Sequence, residues 1–325
     1  MRDHGGNLDH AVAAFGGQRD DWIDLSTGIN RVPYPLPPLP HDAWTDLPTR
    51  DALGRLVDAA RQAYGTPAAI LPVAGAQAAI QMIPRLAPPG LARVLAPTYN
   101  EHAAALRAAG WRVEEVGSAA ALAGADLAVI VNPNNPDGRM LAPDRVLALA
   151  GQVKRLVVDE SFADPCPDLS VAPHANRPGL IILRSFGKFY GLAGLRLGFI
   201  LGTGPEIEAL AEMAGPWPVS GAAIAVGSVA LADRPWAART TARLAAEVRR
   251  LDALAEGAGW HCAGGTLLFR LYETGDARRA QALLARSRIW SRAFPYRVGW
   301  LRLGLPGSPR EWSALEAALA GGGRR

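Results

Sequence analysis

Arg184-Ser185-Phe186-Gly187-Lys188-Phe189-Tyr190-Gly191-Leu192-Ala193-Gly194-Leu195-Arg196-Leu197-Gly198 is the stretch on which the reading of this chain turns. A lysine acts as a nucleophile near neutral pH only when burial or a neighbouring cation lowers its pKa. Lys188 sits just past a predicted strand end, among aromatics and glycines, eight residues before Arg196. Taken alone, a lysine in a glycine-rich loop is an ordinary solvated side chain. The combined spacing Ser-x-x-Lys followed by Arg-x-Gly, from Ser185 to Gly198, sets this one apart.

Outward from that stretch, short apolar runs alternate with helical patterns. The runs are Val94-Leu95-Ala96 and residues 127–131, 156–158, 180–183 and 197–201; helices are predicted over 52–64 (closed by Gly65), 76–86, 101–109 and 143–152. The runs are continuous and rich in β-branched residues, as in strands covered on both faces, which predicts a mostly parallel sheet in an α/β layer. After Gly215 the pattern changes to helices over 219–232 and 236–257, a strand over 266–271, a helix over 276–286, a strand over 299–304 and a helix over 309–319. That succession predicts a smaller α+β domain. Pro33, Pro35, Pro37, Pro38, Pro40 and Pro48 rule out a helix interior or central strand between 31 and 48. The expected organisation is an N-terminal arm (1–48), a large α/β domain (49–215) and a small C-terminal domain (216–325). Gly321-Gly322-Gly323 read as a disordered tail.

The 325 residues are 49% apolar and 20% charged with a net charge of +4, as in an ordinary globular protein too long for one core. The basic residues are scattered over alanine-rich helices, apart from the terminal pair Arg324-Arg325, which argues against nucleic acid. Cys166 and Cys262 show no ligand or disulfide spacing, so a reducing cytoplasm is expected. The first residues lack an apolar signal core, and no window reaches the roughly 20 apolar residues of a membrane span.

Other segments could carry chemistry, although each has an ordinary alternative. Asp159 ends the run Leu156-Val157-Val158, where a carboxylate often only caps a turn. Asn132-Pro133-Asn134-Asn135-Pro136-Asp137-Gly138 could be a plain turn, and Tyr99 in Pro97-Thr98-Tyr99-Asn100-Glu101-His102 a core residue. Gly75-Ala76-Gln77 opens a helix whose exposed amides suit a phosphate. Trp300-Leu301-Arg302-Leu303-Gly304 reads as a strand carrying one arginine. Gly191, Gly194 and Gly198 do not follow a dinucleotide-binding spacing. No histidine pair has metal-ligand spacing, so no metal is expected.

Together these segments resemble, in order, those of fold-type-I, aminotransferase-like enzymes that use pyridoxal 5′-phosphate (PLP). The resemblance implies that fold, with Lys188 as the lysine that carries the cofactor. It implies Asp159 as the partner of the pyridine nitrogen, Tyr99 stacked on the ring and Asn135 beside the phenolic oxygen. Gly75, Ala76, Gln77, Ser185 and Arg196 would hold the phosphate, and Arg302, with Arg292 of Ile289-Trp290-Ser291-Arg292, the substrate carboxylate.

Within the family, two groups are closest: histidinol-phosphate aminotransferases and the threonine-phosphate decarboxylases of cobalamin synthesis. Three features favour the second. His4-Gly5-Gly6-Asn7 and Asp24-Leu25-Ser26-Thr27-Gly28-Ile29-Asn30 are similar to segments that lie over its substrate. Phe162 stands where aminotransferases usually carry a tyrosine. Gly215-Pro216-Trp217-Pro218-Val219-Ser220 is similar to a Pro-Trp-Ser-Val segment.

The implied activity is decarboxylation of L-threonine O-3-phosphate, with His4, Gly5 and Asn30 on the substrate phosphate. A histidinol-phosphate aminotransferase is the alternative, and a cofactor-binding regulator or scaffold a reading of another class. A homodimer acting on a small phosphorylated amino acid is expected, with neither nucleic acid nor membrane as partner. One departure stands out: relatives carry a Tyr-Pro-Asp reaching the neighbouring subunit's cofactor, and this chain has Leu47-Pro48-Thr49.

Overall fold

The computed structural model describes residues 4–322. Gly323 of the expected tail, Met1-Arg2-Asp3 and the Arg324-Arg325 pair lie outside them. Contacts divide the chain into two compact units. The larger comprises Tyr34–Asn135 and Arg139–Ala237; the smaller comprises the described residues up to Pro33, Pro136–Gly138 and the chain from Ala238 onward.

The larger unit is built on a seven-stranded sheet in the order Ala69–Val73, Gly198–Gly202, Leu180–Ser185, Leu156–Asp159, Leu127–Val131, Leu91–Leu95, Arg112–Val116. The last five pair in parallel, whereas Gly198–Gly202 runs antiparallel to both neighbours. Every residue of Leu127–Val131 and Leu156–Asp159 is buried, as the unbroken apolar runs require of central strands. The two edge strands escape the sequence reading. Pro72 is tolerated in Ala69–Val73 because an edge strand can spare a donor, and Arg112–Val116 carries charges that suit an exposed edge.

Parallel pairing brings the carboxyl ends of successive strands to one edge. Asp159 and Ser185 end their strands there, and the segments after Leu95 and Val131 start there. The antiparallel strand begins at the same edge, because Gly198 is paired with both Ser185 and Val73. This is where α/β sheets place ligands.

The division of the chain departs from the expected boundaries at 48 and 215. Helix Gly221–Ala232 packs on helix Arg50–Tyr64 within the larger unit, with Gly227 against Leu197 and Leu56 so closely that a Cβ would lie 2.6 and 2.9 Å from their methyl carbons. The residues before Pro33 join the smaller unit through the strand Ile23–Asp24, which pairs with Ile289–Trp290. Thr49, part of the departure from the Tyr-Pro-Asp pattern, caps helix Arg50–Tyr64 by accepting from the Ala52 N–H.

The smaller unit also holds a four-stranded antiparallel sheet in the order Arg292–Phe294, Arg297–Gly304, Phe269–Glu273, His261–Gly265. The strand expected over 266–271 begins at Phe269, because Thr266 instead closes a turn by accepting from the Leu268 N–H. Helix Pro309–Gly322 runs through Gly321 and Gly322, which the sequence reading left disordered. Burial of Leu315, Ala318 and Leu319 carries the helix into them despite their poor propensity. Among the described residues, no helix is long and apolar enough to cross a membrane.

Candidate active site

In the larger unit Ala76, Gln77, Tyr99, Asn135, Asp159, Phe162, Ser185, Lys188 and Arg196 line one cavity of about 170 Å³, together with Ile80, Val131 and Ser161. Nine of the predicted residues, spread along the chain from Ala76 to Arg196, thus converge. Lys188 lies on the four-residue helix Phe186–Phe189, anchored by the fully buried Phe186 and Phe189. Phe186 stacks on Tyr190 at 4.3 Å, and Tyr190 in turn on Trp236. This aromatic column fixes the helix that carries the lysine. Its Nζ lies 5.8 Å from the centre of the buried Phe162 ring.

Gly75, the tenth predicted residue of this group, does not line the cavity but makes room for its arginine. Gly75 has φ 78°, and a Cβ there would lie 2.5 Å from an Arg196 Nη atom. Arg196 itself adopts a left-handed conformation, φ 54°, which folds its side chain back toward Gly75. Gly198 lets the strand approach equally closely, since a Cβ would meet the Ala76 N at 2.6 Å. Backbone N–H groups, the Ser185 hydroxyl and the Arg196 guanidinium therefore make a cradle for an oxyanion.

Asp159 is 3% exposed. Its Oδ2 is 2.8 Å from His102 Nε2, while Oδ1 accepts from the Ser161 N–H at 3.0 Å and from the Ser161 hydroxyl. Burial pushes its pKa up, but the hydrogen bonds and charge of His102 and the Ser161 donors outweigh it and hold the carboxyl below its ordinary value. The cavity thus contains a buried anion. His102 and Ser161 were missed as site residues. The signal for His102 was its position three residues after Tyr99 on helix Asn100–Ala108, which places it beside that ring, at 6.2 Å and edge-on. The Tyr99 hydroxyl donates to Gln77 Oε1, and Gln77 Nε2 donates to Glu101, each at 3.3 Å.

On the strand Leu180–Ser185, just before the lysine helix, Arg184 donates to Glu160 at 2.8 Å and to Asp164 at 2.7 Å. Burial pushes both carboxyls up, and Arg184 offsets part of that rise.

In the smaller unit, the segments holding His4, Gly5, Asn30, Arg292 and Arg302 form a second group. A Cβ on Gly5 would lie 2.3 Å from the Ser26 carbonyl oxygen, so only glycine fits there. The Gly6 N–H donates to the Ser26 hydroxyl at 2.7 Å. Arg302, 4% exposed, donates to the same Ser26 carbonyl at 2.6 Å. Ser26 therefore ties the His4-Gly5-Gly6 turn to the arginine strand. Arg292 and Arg302 are directly opposite each other across antiparallel strands. Two cations in that register repel unless an anion lies between them. His4 is exposed, and Asn30 is buried at 3% exposure.

A family model described as aminotransferase class I and II matches residues 41–315. The chain is 45% identical to a threonine-phosphate decarboxylase of Pseudomonas aeruginosa, over 99% of this chain and 98% of that one. It is 46% identical to a threonine-phosphate decarboxylase of a Sinorhizobium species, over 98% and 97%. Among solved structures, it is similar to a histidinol-phosphate aminotransferase of Sinorhizobium meliloti in complex with pyridoxal-5′-phosphate. That match has a TM-score of 0.83 at 23% identity and covers 100% of this chain and 95% of the other.

Proposed function

We infer the function from the premise that this chain belongs to the class I and II aminotransferases. We propose that it is a PLP-dependent lyase that converts L-threonine O-3-phosphate to (R)-1-amino-2-propanol O-2-phosphate and CO₂ in cobalamin synthesis. The observation that carries this reading is the 45% identity, over nearly the full length of both chains, to a threonine-phosphate decarboxylase. In the net reaction the Cα–carboxylate bond breaks, CO₂ leaves, and Cα gains a proton.

The residues fit PLP. An amine, a buried carboxylate and an oxyanion cradle surround one cavity, and Gly75 makes room for the Arg196 guanidinium. When bound, PLP supplies an electron sink for the pair left at Cα. Lys188 is the residue that would carry it. The Ala76 and Gln77 amides, Ser185 and Arg196 would hold its phosphate, Tyr99 would cover its ring, and Asn135 would lie beside its phenolic oxygen. Asp159, kept ionised by His102 and Ser161, would hold the ring nitrogen protonated. Phe162 offers no hydroxyl at the position where aminotransferases usually have one.

Arg302 and Arg292 take the substrate carboxylate. His4, Gly5 and Asn30 take the phosphate. The pathway's homodimer is supported by exposed apolar side chains on the arm and after the large sheet: Leu36, Trp44, Leu47 and Trp217 are each more than half exposed. The unpaired Cys166 and Cys262 suit a reducing cytoplasm.

A second reading, an aminotransferase acting on histidinol phosphate, rests on the family match, since one fold of this kind supports more than one reaction. Incubation with threonine phosphate and no keto acid separates the two: CO₂ release by the wild type, abolished in Lys188→Ala, is expected. Amino transfer from histidinol phosphate to 2-oxoglutarate without CO₂ release would establish the alternative.

A further inference from the structure

We propose that Arg243 is a positioning residue that turns the Asn30 side chain so that its amide nitrogen, and not its oxygen, is presented to the substrate phosphate. The proposal rests on the reading that Asn30 serves that phosphate. Asn30 Oδ1 lies 2.8 Å from Arg243 Nη2 and 3.1 Å from the Val32 backbone N. A guanidinium and a backbone N–H can only donate, so the atom between them is an oxygen with both lone pairs engaged. The opposite end of the same amide is then a two-hydrogen donor. Such an end suits an anionic oxygen and gives nothing to a donor group.

Arg243 is itself held. Its Nη1 donates to Glu247 Oε2 at 2.7 Å, one turn along helix Arg234–Gly257. That pairing fixes the reach of the guanidinium and neutralises its charge, so its influence on a ligand is through the direction of the Asn30 amide rather than long-range attraction. The other flank of the segment is held independently, by Arg31 donating to Glu311 and to the Asp24 carbonyl. Loss of Arg243 therefore releases one side chain rather than the whole segment.

The test is a double-mutant cycle of wild type, R243M, N30A and R243M/N30A, with R243K as the conservative variant. KM and kcat for threonine phosphate, the inhibition constant of L-threonine (which lacks the phosphate) and thermal stability are measured. R243M is expected to raise KM about tenfold and change kcat less than about twofold, leaving inhibition by L-threonine unchanged. R243K restores most of the loss, and R243M adds nothing on the N30A background. An equal KM rise on both backgrounds, or a fall in thermal stability with KM unchanged, would overturn the proposal. Should R243M not fold, N30D provides the check, because it keeps the shape but offers only acceptors. N30D is expected to raise KM above that of N30A, and an equal or lower KM overturns the idea. If the wild type releases no CO₂ from threonine phosphate, the functional reading fails on its own. The same cycle is then run on histidinol phosphate, whose phosphate presents the same acceptors, and the additivity of the two substitutions still decides the role of Arg243.

Discussion

His102 Nε2 stands 2.8 Å from Asp159 Oδ2, and both side chains are 4% exposed. Burial pushes the carboxyl up, and this contact, together with the Ser161 donors, outweighs burial and holds it below its ordinary value, on the side of the charged form. Everything expected of Asp159 depends on that charge.

Replacing His102 by Phe removes the larger of the two counterweights to burial. Because Asp159 has a lowered pKa in the folded protein, its stabilising contribution is complete above the ordinary value of 3.8 and is lost as pH falls through the folded value. In His102→Phe that loss moves to higher pH. The acid-unfolding midpoint, followed by circular dichroism, should rise, and bound PLP should be lost more readily on dialysis at neutral pH. Identical acid midpoints and identical retention would refute the role assigned to His102.

Arg184→Met tests the buried cluster of Arg184, Glu160 and Asp164. Glu160 and Asp164 would keep their burial and lose their common cation, a change that typically costs about 3–5 kcal/mol of folding free energy. Their raised pKa values would rise further, so the two carboxyls would take up protons on folding, and the variant's deficit should shrink as pH falls from 7.5 toward 5. Urea denaturation at the two pH values measures it. A deficit independent of pH would argue against the electrostatic account.

The two opposed arginines should not contribute equally. Arg302 is buried and already oriented by the Ser26 carbonyl, whereas Arg292 is only half-buried. Arg302→Gln is expected to raise KM about a hundredfold and Arg292→Gln about tenfold, in line with the worth of desolvated against partly solvated charge pairs. Steady-state kinetics on threonine phosphate distinguish them, and a larger effect at Arg292 would reverse the assignment.

His4→Ala and Asn30→Ala probe a different consequence of gripping the phosphate. The electron pair left at Cα lies next to a good leaving group, so loss of phosphate competes with protonation. Holding the β-phosphate bond away from the geometry of elimination is a positioning effect. Either substitution should raise the ratio of inorganic phosphate to amine product. A slower enzyme with unchanged partitioning would show that the grip only binds.

Much of this protein is determined by short-range pattern. Ser185, Lys188 and Arg196 were legible because their spacing reflects one strand end, one short helix and one turn, all local features. Asp159, Tyr99 and Gly75 were legible because each lies at the end of an apolar run or the start of a helix. The cavity of the candidate site is the sum of such local ends, gathered by parallel pairing.

What tertiary structure alone decided lies in contacts between residues far apart in the chain. His102 and Asp159 are 57 positions apart, and Arg243 and Asn30 are 213. No spacing encodes either pair, because each depends on which elements pack together and in what register. The facing of Arg292 and Arg302 depends likewise on strand register, where a slip of one residue would turn a side chain to the other face. The boundary of the larger unit was decided by the packing of helix Gly221–Ala232 on Arg50–Tyr64, a burial to which each helix contributes only half. Sequence thus determined which chemical groups stand at the strand ends. The fold decided their charge state and orientation, because both depend on neighbours that only folding brings within hydrogen-bonding distance.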